Sequence, residues 1–196
     1  SVRQYQPGES LNSIHWRTSA RKQELYVRKF SSTPASDWWI YLDLDADAHY
    51  ETDAGSSLEQ AIVLTASLAN HGLKLNYQVG LAAYSDRLIW LPPALGEYQR
   101  LKILQELALV NAGNHSLGSL LTRARTRSSQ ATSHIIVTTR LEASWIEAVH
   151  QYIKIGAYPT IFILEPTSFG LQPLPHGQLV MLTKMGLRVH LIERQI

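Results

Sequence analysis

Cysteine is absent from the 196 residues. That excludes disulfides, thiolate nucleophiles and cysteine-bound zinc, and says little about compartment. Long apolar runs are missing too. No stretch approaches the ~18 residues a membrane helix needs, and no signal peptide is visible. Strong charge of one sign is also lacking, and a net charge of +2 is too small to argue for nucleic acid by itself. What is present is 45% apolar and 17% charged residues, the balance of a soluble globular protein with a core. The length allows one large domain, or a domain with an arm. The chain starts at Ser1 and not at Met, so a piece of something longer is expected.

Charge is unevenly placed. Residues 1–36 carry Arg3, Arg17, Arg21, Lys22, Arg28 and Lys29 against Glu9 and Glu24. Residues 37–60 carry Asp37, Asp43, Asp45, Asp47, Glu51, Asp53 and Glu59 with no Lys or Arg. Two solvated faces account for this pattern. So does a basic arm that packs near an acidic rim and partly neutralises it.

Trp38 to Leu42 is a run of bulky β-formers with no polar break, which reads as a strand buried on both faces. Ligands of parallel sheets bind at the carboxyl ends of such strands, and here the run ends in Asp43, Asp45 and Asp47. His134–Thr138 and Thr160–Leu164 read as further buried strands. Leu75–Tyr84 and Arg87–Leu91 form a hairpin through Ser85-Asp86, with Pro92-Pro93 stopping the second strand. Leu187–Ile192 is a last strand. Helices are expected after Ser56 or Ser57, each with a capping box, and ending at Gly72. Others follow over Glu97–Leu109, with Leu101, Leu104, Leu107 and Ala108 inward, from Ser116 to about Arg127, over Glu142–Ile155 and over Gln178–Met185. Gly156 and Gly186 close the last two, and Pro166–Pro175 is irregular. The pattern predicts an α/β domain over 37–196: doubly wound, mostly parallel, helices on both faces, one antiparallel edge strand. Residues 1–36 form an arm packed on it. Within the arm, Pro7-Gly8 turns, Ser10 caps a short helix carrying Leu11 and Ile14, Leu25–Phe30 is an edge strand, and residues 31–36 are a linker.

The order of elements resembles the von Willebrand factor type A fold. The arm sharpens the likeness. Val2-Arg3, Tyr5, Pro7-Gly8-Glu9, Ile14-His15-Trp16, Ser19-Ala20-Arg21, Leu25 and Val27-Arg28 resemble the hallmark of domain-of-unknown-function family 58, with Glu9 where Asp is usual. That resemblance implies membrane helices upstream and a MoxR-type AAA+ ATPase as partner. It places the full protein at a membrane with this domain soluble, on the cytoplasmic side. It also implies a metal-ion-dependent adhesion site: Asp43, Asp45 and Asp47 stand for Asp-x-Ser-x-Ser, Ser116 for the loop Thr, and Thr139 for the last Asp.

Converging carboxylates suit Mg²⁺ or another hard divalent cation. Equally, Asp43 caps a loop or pairs with a basic arm residue while Asp45 and Asp47 face water. His15-Trp16 with Arg17 and Arg21 suits either a catalytic or base-stacking patch or a packed anchor, with Trp16 buried and Ala20 allowing close approach. No nucleophile is identifiable beside it, which favours the anchor and makes Arg3, Tyr5, Pro7, Gly8, Glu9, His15, Trp16, Ser19 and Arg21 a structural hallmark. Gly113–Ser119 echoes a phosphate loop but lacks its lysine. Arg123, Arg125 and Arg127 end a helix without interleaved aromatics, so nucleic acid is not expected. The reading is a non-enzymatic protein-interaction module. The alternatives are a metal-assisted hydrolase on the three aspartates, with only His49 and His115 as bases, and nucleic-acid binding through the arginines.

Overall fold

The computed structural model describes residues 2–4, 16–28, 37–52, 55–125 and 132–193. The chain divides into two compact units, 1–34 and 35–196. In the first, β1 (Val2–Gln4) pairs antiparallel with β2 (Tyr26–Arg28), and α1 (Trp16–Lys22) lies between them in sequence. Ser19 is buried. Its Oγ accepts from the Tyr26 N–H at 2.8 Å and donates to the Tyr26 carbonyl at 3.3 Å. This single hydroxyl therefore fastens helix to strand, a structural use for one hallmark residue. Ala20, expected at a close approach, is exposed; Ser19 fills that part. The expected Pro7-Gly8 turn, the Ser10 helix, Tyr5, Glu9 and His15 lie outside the described residues.

The second unit is built on six strands: β3 (Asp37–Leu42), β6 (Gln78–Tyr84), β7 (Leu88–Ala94), β8 (Thr132–Thr138), β9 (Thr160–Leu164) and β10 (Arg188–Ile192). Their order is β10-β9-β8-β3-β6-β7. All neighbours are parallel except β7, which runs antiparallel to β6 at the edge. The strand from Trp38 is thus central, with β8 on one side and β6 on the other. Two short strands, β4 (Glu51–Thr52) and β5 (Gly55–Ser56), make a small hairpin. The helices are α2 (Ser57–Lys74), α3 (Gly96–Leu107), α4 (Leu117–Arg125), α5 (Ala143–Lys154) and α6 (His176–Lys184). Among the described residues no helix is long and apolar enough to cross a membrane.

Strand alternation sorts the core onto two faces. Trp39, Tyr41 and Ile136 pack with Leu120, Leu121, Trp145, Val149 and Tyr152 of α4 and α5. Ile40, Leu42, Leu81 and Val137 pack with Ala61 and Ala69 of α2 and Ile103 and Leu107 of α3. Each fully buried Leu, Ile or Val among them stabilises the fold by about 1.5–3 kcal/mol. The expected cap of α2 is present, with Ser56 Oγ accepting from the Glu59 N–H. Gly156 and Gly186 follow α5 and α6 as expected.

Three local expectations fail for tertiary reasons. Gly72 does not end α2, which runs on to Lys74; the left-handed residue is Asn76, at φ 60°. Gly72 is there for close approach. A Cβ on it would stand 2.7 Å from the Trp38 ring and 2.9 Å from Val79. Pro92 and Pro93 do not stop β7 but lie inside it, since an edge strand tolerates missing donors. The ladder to β6 is irregular between Val79 and Leu81. Leu107 is buried as expected and Leu104 half-buried, but Leu101 and Ala108 are exposed, and α3 buries Gln99 and Ile103 in their place. The Gln99 amide donates to the Val79 and Pro92 carbonyls at 2.7 and 3.0 Å. That polar anchor rotates the helix away from the face its leucines imply. The irregular stretch after β9 also holds a short 3-10 turn, Pro166–Phe169.

Candidate functional site

The carboxyl ends of β3, β8 and β6 meet at one rim. The Asp43 N–H donates to the Val137 carbonyl at 2.9 Å, so the central ladder continues one residue past β3. This brings the Asp43 side chain, 3% exposed, beside the end of β8. Its Oδ2 accepts from the Thr138 hydroxyl at 2.7 Å and its Oδ1 from the Asp45 N–H at 3.2 Å. Burial pushes the Asp43 carboxyl up to about 6. The hydrogen bonds from Thr138 and Asp45 and the charge of Arg140 pull it down, and the Asp45 charge adds to the rise. Desolvation wins because the group has almost no water contact.

Asp45 Oδ1 accepts from the Asp47 N–H at 3.1 Å and caps a 3-10 turn, Ala46–Ala48. The backbone here is pinned to Gly113: Gly113 N–H donates to Leu44 at 2.7 Å, and Ala46 N–H to Gly113 at 2.8 Å. A Cβ on Gly113 would stand 2.6 Å from Ser85 backbone atoms, so only glycine fits. Asp47 is exposed, and its carbonyl accepts from Arg140 Nη1 at 2.8 Å. Ser116 Oγ accepts from the Ser119 N–H at 3.3 Å and so caps the start of α4. The Thr139 hydroxyl donates to the Ala48 carbonyl.

His49 has a fixed tautomer. Nε2 lies 2.9 Å from the Asp43 carbonyl oxygen, which only accepts, so Nε2 carries the hydrogen. Nδ1 then accepts from Ser57 Oγ at 3.3 Å, and that oxygen accepts from the Tyr50 N–H at 3.0 Å. Burial lowers the His49 pKa, against the upward pull of its bond to Asp43 and of the Asp45 charge. Both ring nitrogens are engaged, and the Ser57 hydroxyl that His49 meets is fully buried. His115 stacks face to face on Tyr84, ring centroids 3.7 Å apart, with the Arg123 guanidinium 5.8 Å from the Tyr84 ring.

Thr138 and Arg140 have no part in the sequence reading of the site. Their signal lies in register: β3 and β8 are parallel with Leu42 opposite Val137, so the residue after each meets the other. A cleft of about 220 Å³ lined by Ser85, Asp86, Arg87 and Asn111 lies beside the β6–β7 turn. A larger one, about 500 Å³ between Lys74 of α2 and Arg100 of α3, lies at the other end of the sheet, where β7 runs out beside the start of β6.

Comparisons with known proteins bear on both fold and family. Residues 1–162 match the family described as "Protein of unknown function DUF58". The uncharacterized protein YeaD of Bacillus subtilis (strain 168) is 28% identical over 111 residues, which cover 57% of this chain and 26% of that protein. The chain thus spans about a quarter of the length of the curated relative it matches. An aerotolerance-related membrane protein from Bacteroides fragilis NCTC 9343 superposes with a TM-score of 0.55 at 15% identity, over 81% of this chain and 91% of that one. Proximal thread matrix protein 1 of the mussel byssus, solved with a zinc-occupied MIDAS motif, gives 0.54 at 14% identity, over 80% of this chain and 43% of that one. Such identities show the fold alone, which is von Willebrand factor A-like.

The divalent ion expected at the rim from the resemblance would meet side chains that depart from the adhesion-site pattern. Both Asp43 oxygens and one Asp45 oxygen each accept one hydrogen bond. Thr139 stands where the last Asp of the pattern is expected, and Arg140 follows it. Among the described residues no three His, Asp or Glu side chains gather to hold a metal.

Proposed function

The chain belongs to the DUF58 family, and on that premise we propose that it is a protein-docking module and not a catalyst. Its partner is a MoxR-type AAA+ ATPase, and it works as the soluble part of a membrane-anchored protein on the cytoplasmic side. One observation carries the non-catalytic half. The Ser57 hydroxyl on His49 Nδ1 has the contact of a nucleophile and its base, but Ser57 is 0% exposed, and Thr138 and Thr139 are buried too. A nucleophile has to reach its substrate. The exposed Asp47 and the half-exposed Glu142, which pairs with Arg140, are the acidic groups offered to a partner. The fold it shares with a membrane protein supports the anchored setting.

In the same reading the N-terminal unit clasps the domain through the hallmark. The test of docking is capture of the co-expressed ATPase by the full-length protein. Asp47→Lys with Glu142→Lys should reduce capture at least tenfold while a phosphoesterase screen of the wild type stays blank. Undiminished capture by the double variant removes the rim as the docking face, and turnover in the screen removes the non-catalytic reading.

A further inference from the structure

The rim carries a fixed cation of its own. Arg140 lies two residues past Thr138, the last residue of β8, with Thr139 between. Nη1 donates to the Asp47 carbonyl at 2.8 Å and Nη2 to the Glu142 carboxylate at 3.1 Å. The Arg140 carbonyl accepts from the indole N–H of Trp145 at 3.1 Å. Trp145 is 1% exposed, so the turn bearing the guanidinium is nailed to the core face of α5. A side chain held at both ends in this way is not a loose surface arginine.

Each oxygen the pattern would present to an ion already takes part in one hydrogen bond. Asp43 Oδ2 has Thr138, Asp43 Oδ1 has the Asp45 N–H, Asp45 Oδ1 has the Asp47 N–H, and the Thr139 hydroxyl has Ala48. Mg²⁺ demands octahedral oxygen geometry and Ca²⁺ takes still more ligands. Admitting either sets a dication beside a guanidinium, which repels it, with Thr139 where the pattern has its last carboxylate. Planar, always charged and multiply hydrogen-bonding, arginine suits a permanent counter-charge better than lysine does.

We propose that Arg140 is the resident counter-charge of this rim, standing in place of the divalent ion, so that docking on this face needs no added metal. The second half rests on the docking reading above; the first concerns this chain alone and is tested on it alone. The chelator-treated protein is titrated with Mg²⁺, Mn²⁺, Ca²⁺ and Zn²⁺ by calorimetry, and its melting temperature is followed with and without EDTA. The expected result is no saturable binding that depends on Asp43 and no shift with chelator. Binding that Asp43→Asn leaves unchanged lies elsewhere on the surface and agrees with the proposal. One equivalent of any of these ions bound by the wild type and lost in Asp43→Asn overturns it. Arg140→Gln should lower the melting temperature by several degrees, with Arg140→Lys recovering only part; full recovery by Lys sinks the argument for a planar fork. Should Arg140→Gln fail to fold, the wild-type titration still decides. A failed ATPase capture with no Asp43-dependent metal binding ends the docking reading and leaves this one standing.

Discussion

Thr138 donates its hydroxyl to the buried Asp43 carboxylate at 2.7 Å, across two neighbouring parallel strands. The residues lie 95 positions apart in the chain, so the bond exists only when the central sheet is in register. It reports on the fold and on the rim at once.

Thr138→Val keeps the shape and removes the donor. One carboxylate oxygen is then buried without its partner, a loss of about 1–3 kcal/mol. The Asp43 pKa should rise further, since the Thr138 bond is among the influences holding it down. Urea unfolding at pH 5 and pH 8 checks this. The loss should be larger at pH 8, where Asp43 is ionised, and an equal loss at both would show that the bond does not favour the charged form.

Two buried groups give opposite pH dependences. Asp43 titrates at about 6 when folded, above its ordinary value of 3.8, so the folded state binds the extra proton. Its stabilising effect is complete below that ordinary value and is lost as pH rises through about 6. His134 is pushed down by burial from 6.5 to about 4. Its effect is complete above 6.5 and is lost as pH falls through about 4. Between pH 4 and 6 the slopes oppose, so wild-type stability should be nearly flat there. Asp43→Asn should unmask a rise in stability with pH, and His134→Gln a fall. Unfolding midpoints across that range decide, and parallel profiles for the two variants would refute the assignment.

Gly72→Ala tests packing against propensity. Alanine favours a helix by about 1 kcal/mol over glycine. Here its methyl meets the Trp38 ring at 2.7 Å, and overpacking a core typically costs about 1–3 kcal/mol. A net drop in melting temperature is expected; a rise would mean that Trp38, which stacks on Tyr77 at 4.9 Å, yields without strain.

Trp16→Ala tests the clasp proposed above for the N-terminal unit. A well-packed tryptophan truncated to alanine loses about 3–5 kcal/mol. The variant should melt lower and be cut by trypsin near Arg17 or Arg21. Unchanged stability and protease resistance, together with loss of a partner, would make the hallmark the functional surface itself.

How much of this is legible in the sequence depends on whether the cause is local. Trp38 to Leu42 announces its central place, because only a strand covered on both faces carries five bulky residues without a polar break. Ser56 announces a cap through Glu59 three residues on. Gly72 misleads, since glycine near a helix end looks the same whether it terminates the helix or clears room for a ring. Leu101 misleads because Gln99 sets the roll of α3, and its two carbonyl partners sit on other strands. At the rim, Asp43 is readable from strand polarity. Thr138 and Arg140 are not, because their roles follow from a pairing register that no local spacing encodes.

Pro92 and Pro93 have a bearing on self-association. Between the pairs Val79↔Ala94 and Leu81↔Leu91 they stand two against the single residue Gly80, a bulge in the β6–β7 ladder. Neither carries an amide hydrogen, so over these two positions the border offers no donor to a strand laid along it. Growth of this sheet by strand addition, whether in a fibril or a domain swap, is therefore disfavoured along that stretch of the β7 border.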